Sequence, residues 1–338
     1  MVTAKGLPWI LRVNDLYVEF WTHDGVARPV NGLTLQVGKG QSVGVVGESG
    51  CGKSVTALSV LRILPKAARI SGGKIELQLR DGSTRDLTQL STNSNEMRRI
   101  RGGEIAMIFQ EPMTAFSPVH TIGNQLCEAI LLHTDCDEKE AKERAVESLR
   151  SVGIPEPHVR IDEYPFQFSG GMRQRAMIAM ALVCNPRILI ADEPTTALDV
   201  TVQAQVLQLI KQMQSQIGLA LYLITHDLGV IAQMVDYVYV MYLGCIVEEG
   251  GVDGIFETPL HPYTRDLMRS IPTVSGERKP LSTIGGVVPN AYSIPSGCSF
   301  HTRCKDMQGE VCRSERPAPR RFGESHRVSC VLYEDAAR

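Results

Sequence analysis

The apolar run VGVVG at 43–47 passes directly into Gly47-Glu48-Ser49-Gly50-Cys51-Gly52-Lys53-Ser54. A short apolar run closed by glycine reads as a buried strand, and the G-x-x-x-x-G-K-S spacing after it reads as a phosphate-binding loop that opens a helix. Glycines let successive backbone N–H groups turn into one concavity, and the helix N-terminus adds the positive end of its dipole. The ligand such a loop fits is a polyphosphate. In that reading Lys53 reaches the β- and γ-phosphates and Ser54 ligates Mg2+.

A strand feeding a loop and a helix asks for more of the same, and the sequence supplies it. IAMIFQ at 105–110, ILIAD at 188–192 and ALYLIT at 220–225 alternate with helix-length segments, which predicts a mainly parallel sheet covered by helices, an α/β fold. Residues 11–20 and 33–37 predict an antiparallel flank, joined by GGKIELQL at 72–79. From about 112 to 183 helical periodicity replaces strands, as in QLCEAILLH and KEAKERAVESLRSVG, and predicts an inserted helical subdomain. Its charged stretch at 135–144 reads as a solvated helix face. Beyond 269 the text turns rich in Pro and Gly, which places a boundary between a nucleotide-binding domain, 1–269, and a smaller unit, 270–338.

With 338 residues, 43% hydrophobic and 21% charged, the chain can build one large core and a second small one. The formal charge of −2 provides no basic field for nucleic acid or anionic lipid. The longest membrane-like stretch, 237–247, is half of the roughly 20 residues a spanning helix needs, and reads as core strand. MVTAKGLPWILRV at the N-terminus lacks a small-residue cleavage site, so a cytoplasmic location is expected. Of nine cysteines, Cys298, Cys304, Cys312 and Cys330 crowd into the tail, and in a reducing compartment they form a metal-site candidate.

The segment 187–193 is an apolar strand ending in two carboxylates. Strand alternation sends neighbours to opposite sides, so Asp192 fits the magnesium shell while Glu193 fits the group that orients or deprotonates a water. Ser169-Gly170-Gly171 opens a helix through Leu182 and offers a further set of N–H donors.

SGGMRQR upstream of a DEP strand resembles the signature motif of ABC ATPases. The resemblance spans roughly 10–260, and it implies a P-loop cassette with a RecA-like core sheet, an antiparallel flank and the helical insertion. It implies that Gln110 is the glutamine contacting magnesium and the water, Asp199 the D-loop aspartate, and His226 the switch histidine reaching the γ-phosphate. Phe20 takes the place of the aromatic that stacks on adenine, with Trp21 its rival. Two such cassettes pack head to tail in this family, so the signature motif serves the ATP of the partner subunit. Cys51 stands where relatives more often carry Ser, and its thiol would make the loop sensitive to thiol reagents.

HPYT at 261–264 and the pattern IGGVVPN…GCSFHTRC resemble the oligopeptide and dipeptide importer ATPases. This implies import of short peptides with a second ATPase subunit, two transmembrane permease subunits and an extracytoplasmic solute-binding protein, at the cytoplasmic face of the plasma membrane. A nickel, opine or oligosaccharide importer is the alternative, and a soluble non-transport ABC ATPase a further one. Four thiols in a loop-rich tail suit a [4Fe–4S] cluster, as carried by similar members, or zinc.

Overall fold

The computed structural model describes residues 8–110, 116–196, 199–270, 284–323 and 325–333. Its centre is an eight-stranded sheet. In chain order the strands of the whole molecule are β1 (Trp9–Thr22), β2 (Gly25–Gly38), β3 (Ser42–Val46), β4 (Ala68–Gln78), β5 (Thr84–Asp86) and β6 (Ile105–Ile108), followed by β7 (Ile188–Asp192), β8 (Ala220–Ile224), β9 (Tyr237–Tyr242), β10 (Cys245–Gly251), β11 (Arg320–Phe322) and β12 (His326–Val328). The large sheet runs β11-β12-β10-β9-β3-β8-β7-β6 and the flank β2-β1-β4-β5. Pairings from β6 to β9 are parallel, while those of the flank and of β9-β10-β12-β11 are antiparallel.

Every residue of β3, β7, β8 and β9 is buried. That is the consequence of covering both faces of a parallel sheet. Alternation then sorts the side chains: Val43, Val45, Ile188, Ile190, Tyr222 and Tyr239 pack with the antiparallel flank. Val46, Leu189, Ala191, Leu221, Leu223 and Val240 pack with the helices of the opposite side. The helical subdomain contains helices Ile122–His133, Glu138–Ser151 and Gly170–Leu182. In Glu138–Ser151 only Ala141, Ala145 and Leu149 are buried, a stripe at i, i+4 and i+8 beneath a charged outer face. No helix among the described residues is long and apolar enough to cross a membrane.

Three local readings change. The stretch 237–247 is a hairpin, not a single strand, because Leu243 and Gly244 take φ of 43° and 79° and reverse the chain between β9 and β10. β6 ends at Ile108, leaving Phe109 and Gln110 beyond the ladder. The tail contributes strands, β12 pairing with β10 at Glu248 and Glu249. Glu248 is fully buried and accepts the N–H groups of Leu260 (2.7 Å) and His261 (2.8 Å), with His326 Nε2 2.6 Å away. Phe300 is likewise wholly buried, its ring 5.2 Å from Tyr242, 5.4 Å from Tyr263 and 5.8 Å from His261. These contacts seat the tail on the main sheet.

Candidate functional site

The phosphate loop leaves β3 and enters the helix Lys53–Val60. Only glycine fits two of its corners: a Cβ at Gly47 would lie 2.1 Å from the Met241 carbonyl oxygen, and one at Gly52 2.0 Å from that of Pro29. At Gly52 the backbone also has φ +102°, open to glycine alone. Lys53 lies almost buried beneath the loop, its Nζ donating to the carbonyls of Gly47 (2.8 Å) and Glu48 (3.0 Å). The loop and its lysine are therefore locked to each other. Cys51, read as a reactive position, is only 2% exposed, and burial raises its thiol pKa against the opposing pull of Lys53. A protonated, enclosed thiol is a poor target for alkylation.

Asp192 closes β7 with 4% exposure. Burial raises its carboxyl pKa, countered by a hydrogen bond with Ser54, and its Oδ1 is buried without a hydrogen-bond partner. An unpartnered carboxyl oxygen beside the first-turn serine of the phosphate loop suits a divalent cation. Glu193 follows in the left-handed region, φ 46°, so the strand alternation expected at the two carboxylates gives way to a turn. That turn aims Glu193 at three groups: Oε2 accepts from Gln110 Nε2 (3.0 Å) and Thr196 Oγ1 (2.9 Å), and Oε1 lies 3.3 Å from His226 Nδ1. The residues named from sequence as Gln110, Glu193 and His226 thus meet in one cluster, with Asp192 and Ser54 beside it. Thr196 was not foreseen, since the second of two threonines after Pro194 gives no signal of its own.

Ser169 caps the helix Gly170–Leu182, its Oγ accepting from Met172 N (3.3 Å), and leaves Gly170 exposed. A Cβ at Gly170 would meet nothing within 4 Å, so the surface there is open for an approaching group. Gln174 of the same helix donates to the Pro194 carbonyl, tying the signature segment to the turn that carries Glu193. Asp199 caps the helix Val200–Ile217 through Val202 N, 2.9 Å. Its neighbours Ala197 and Leu198 lie outside the described residues. Phe20 is half-buried against the flank core, whereas Trp21 is 52% exposed with the Arg69 guanidinium 4.4 Å over its ring.

The four tail cysteines carry free thiols and line one small cavity with His261 and His301. Burial pushes Cys304 up to about 11 and Cys330 up to about 12, and raises Cys298. Backbone N–H groups of Phe300, Asp306 and Leu332 hydrogen-bond to these sulfurs, and that of Gln308 reaches Cys312 Sγ at 3.3 Å. Among the described residues no three His, Cys, Asp or Glu converge closely enough to hold a single metal ion.

Two residues reach the phosphate loop from far along the chain, contacts that the sequence reading did not foresee even though Tyr263 belongs to its HPYT element. Tyr263 Oη accepts from Glu48 N (2.8 Å), and Arg303 grips the Glu48 carboxylate. A carboxylate inside an anion-binding loop is the one local hint that a cation must come from elsewhere.

Comparison with known proteins agrees with this geometry. Residues 30–196 match the family model described as ABC transporter, and 247–312 that described as oligopeptide/dipeptide transporter, C-terminal region. The "Probable peptide ABC transporter ATP-binding protein y4tR" of Sinorhizobium fredii is 49% identical over 95% of this chain and 94% of its own. The dipeptide transport ATP-binding protein DppD of Bacillus subtilis is 46% identical over 97% and 96%. Among solved structures, the dimeric ATP-binding cassette MJ0796 bound to ADP and Pi superimposes with a TM-score of 0.62 over 72% of this chain and 99% of that one, at 23% identity, and so shares the fold. The chain belongs to the ABC transporter ATP-binding family, in the branch that carries the oligopeptide/dipeptide transporter C-terminal region.

Proposed function

We propose that the chain hydrolyses ATP and thereby powers import of short peptides through a membrane transporter. The observation that carries this reading is the joining of two things in one chain. Gln110, Glu193 and His226 meet beside the phosphate loop, and the tail of the same chain is of the oligopeptide/dipeptide type. The relatives named for peptide or dipeptide transport match it along nearly their whole length.

Within the site, the N–H groups of Gly47, Glu48, Ser49, Gly50, Cys51 and Gly52 cradle the phosphates, and Lys53 moves from the loop carbonyls to the β- and γ-oxygens. Ser54, Asp192 and Gln110 would hold Mg2+, which when bound neutralises charge developing on the phosphates. Glu193 accepts the proton of the attacking water, held in place by Gln110 and Thr196, while His226 faces the γ-phosphate. Phe20 stacks on the adenine. Ser169, Gly170, Gly171 and Asp199, at two helix starts, serve the ATP of a second, identical or related, cassette. Two permease subunits and an extracytoplasmic solute-binding protein complete the transporter, with this chain on the cytoplasmic face.

Cys298, Cys304, Cys312 and Cys330 hold a [4Fe–4S] cluster in this reading. Support comes from four thiols around one cavity with N–H donors on their sulfurs, the setting that favours cluster sulfur. Zinc is the alternative occupant of the same four thiols; among the described residues no three His, Cys, Asp or Glu lie close enough to hold a metal ion of either kind. The cluster would supply one-electron redox chemistry or a structural clasp; no hydrolytic step passes through it.

The test is uptake of labelled di- and tripeptides, and of nickel, in cells lacking the gene and restored with wild type or Glu193→Gln. Peptide uptake rescued by wild type alone is expected. Unchanged peptide uptake with loss of nickel or another solute would overturn the peptide assignment.

A further inference from the structure

Residue 48 is held from both its main chain and its side chain by parts of the molecule more than 200 positions later. Its N–H donates to Tyr263 Oη at 2.8 Å. Its carboxylate receives both Nη atoms of Arg303, at 2.6 Å and 3.1 Å, in a bidentate fork. The Arg303 side chain is 2% exposed and is fixed in turn by the carbonyls of Gly285 (2.9 Å) and Ile284 (3.3 Å) and by Tyr242 Oη (3.3 Å). This guanidinium has no freedom to serve elsewhere. Lys53 Nζ donates to the carbonyls of Gly47 and Glu48, so any shift of residue 48 is passed to the lysine.

The charge at stake is also specific. A carboxylate beside bound triphosphate repels it, and the repulsion is felt in full only when the carboxylate is unpaired in a partly buried setting. Arg303 cancels that charge and directs the carboxylate away from solvent-driven rearrangement. The same C-terminal unit touches the nucleotide end of the flank as well. Tyr292 Oη lies 3.0 Å from Thr22 Oγ1, and Ala291 O accepts from Arg28 N at 2.9 Å, either side of the β1–β2 turn that follows Phe20 and Trp21.

We propose that Arg303 is a positioning residue for the ATP site, acting through Glu48 on the phosphate loop, so that nucleotide affinity is set by the Cys-containing C-terminal unit. The inference rests on the ATP-binding reading of the loop and requires no metal at the cysteines. It also gives that unit a role within the catalytic cycle, because a change in the loop around Arg303 is transmitted to the phosphates along one partly buried ion pair.

The experiment uses the purified full chain and MgATP, measuring the dissociation constant with a fluorescent ATP analogue, steady-state KM and kcat, and the melting temperature. Arg303→Met is expected to raise Kd and KM on the order of tenfold, with kcat changed less than about threefold, since the unpaired Glu48 charge acts on binding. Adding Glu48→Gln to Arg303→Met is expected to recover most of the lost affinity, the non-additive signature of one interaction. Arg303→Lys keeps the charge but not the fork, and is expected to raise Kd about threefold. A Kd for Arg303→Met within about twofold of wild type, or no recovery in the double variant, overturns the inference. Should Arg303→Met not fold, Arg303→Lys decides: a raised Kd at unchanged melting temperature supports the inference and an unchanged Kd overturns it. Failure of the wild type itself to bind MgATP would instead overturn the ATP-binding reading.

Discussion

Glu193→Gln isolates proton acceptance from every other property of the site. In the structure Oε2 takes hydrogen bonds from Gln110 Nε2 and Thr196 Oγ1, both donors, so the glutamine carbonyl oxygen takes that place unchanged. The new amide nitrogen then occupies the position of Oε1, 3.3 Å from His226 Nδ1. Shape, volume and the left-handed turn at residue 193 are kept. What disappears is an acceptor for the water proton, a loss of about 10²- to 10⁴-fold for a general base, or about 2.7 to 5.4 kcal/mol on the barrier. Single-turnover hydrolysis of MgATP is expected to fall by at least about a hundredfold, while the dissociation constant moves by less than about threefold. Turnover within about threefold of wild type would remove Glu193 from proton acceptance. A parallel rise in the dissociation constant would show that the carboxylate holds the ligand instead.

The remaining predictions concern residues around this centre. Cys51 is expected to react with N-ethylmaleimide more than about tenfold slower than the partly exposed Cys136 in the folded chain, as mass spectrometry of digests would read; equal rates would contradict its enclosure. Phe300→Ala, at a wholly buried ring packed on three others, is expected to cost about 3–5 kcal/mol in urea unfolding, and a loss below about 1 kcal/mol would mean that the tail is not seated as described. His261 is buried and accepts from Tyr263 N, and burial lowers its pKa from 6.5 to about 4. The unfolded chain therefore takes up a proton below pH 6.5 that the folded chain refuses, so stability present above pH 6.5 is lost as pH falls toward 4, by about 3 kcal/mol. Unfolding midpoints from pH 7 to 4 should fall less steeply in His261→Asn; identical slopes would refute the assignment.

Much of the nucleotide site was legible because its information is local. The phosphate loop, the strand ending at Asp192 and the helix start at Ser169 each declare themselves within about ten residues, through glycine spacing, apolar runs and capping chemistry. Glu193 was legible as a carboxylate but not as a left-handed turn, since positive φ at a non-glycine residue is forced by surroundings the strand pattern does not contain. The hairpin within 237–247 was missed because its turn, Leu243-Gly244, interrupts an apolar run by only one glycine. The tail hid most. A Pro- and Gly-rich text reads as loop, yet it supplies β11 and β12, each three residues long and below the length at which alternation can be recognised. Arg303 contacts Glu48 across 255 positions, a pairing that no local pattern encodes.

Those two short strands have a bearing on solubility. Without them β10 would end the large sheet with a row of free backbone donors and acceptors, the template on which sheets of separate molecules join. With them the sheet ends at β11, three residues long and carrying Arg320 and Arg321. A strand that short and that charged offers a second molecule neither length nor neutrality for pairing. The tail therefore guards this edge of the sheet against edge-to-edge association, and a chain cut before β11 would be expected to aggregate as it folds.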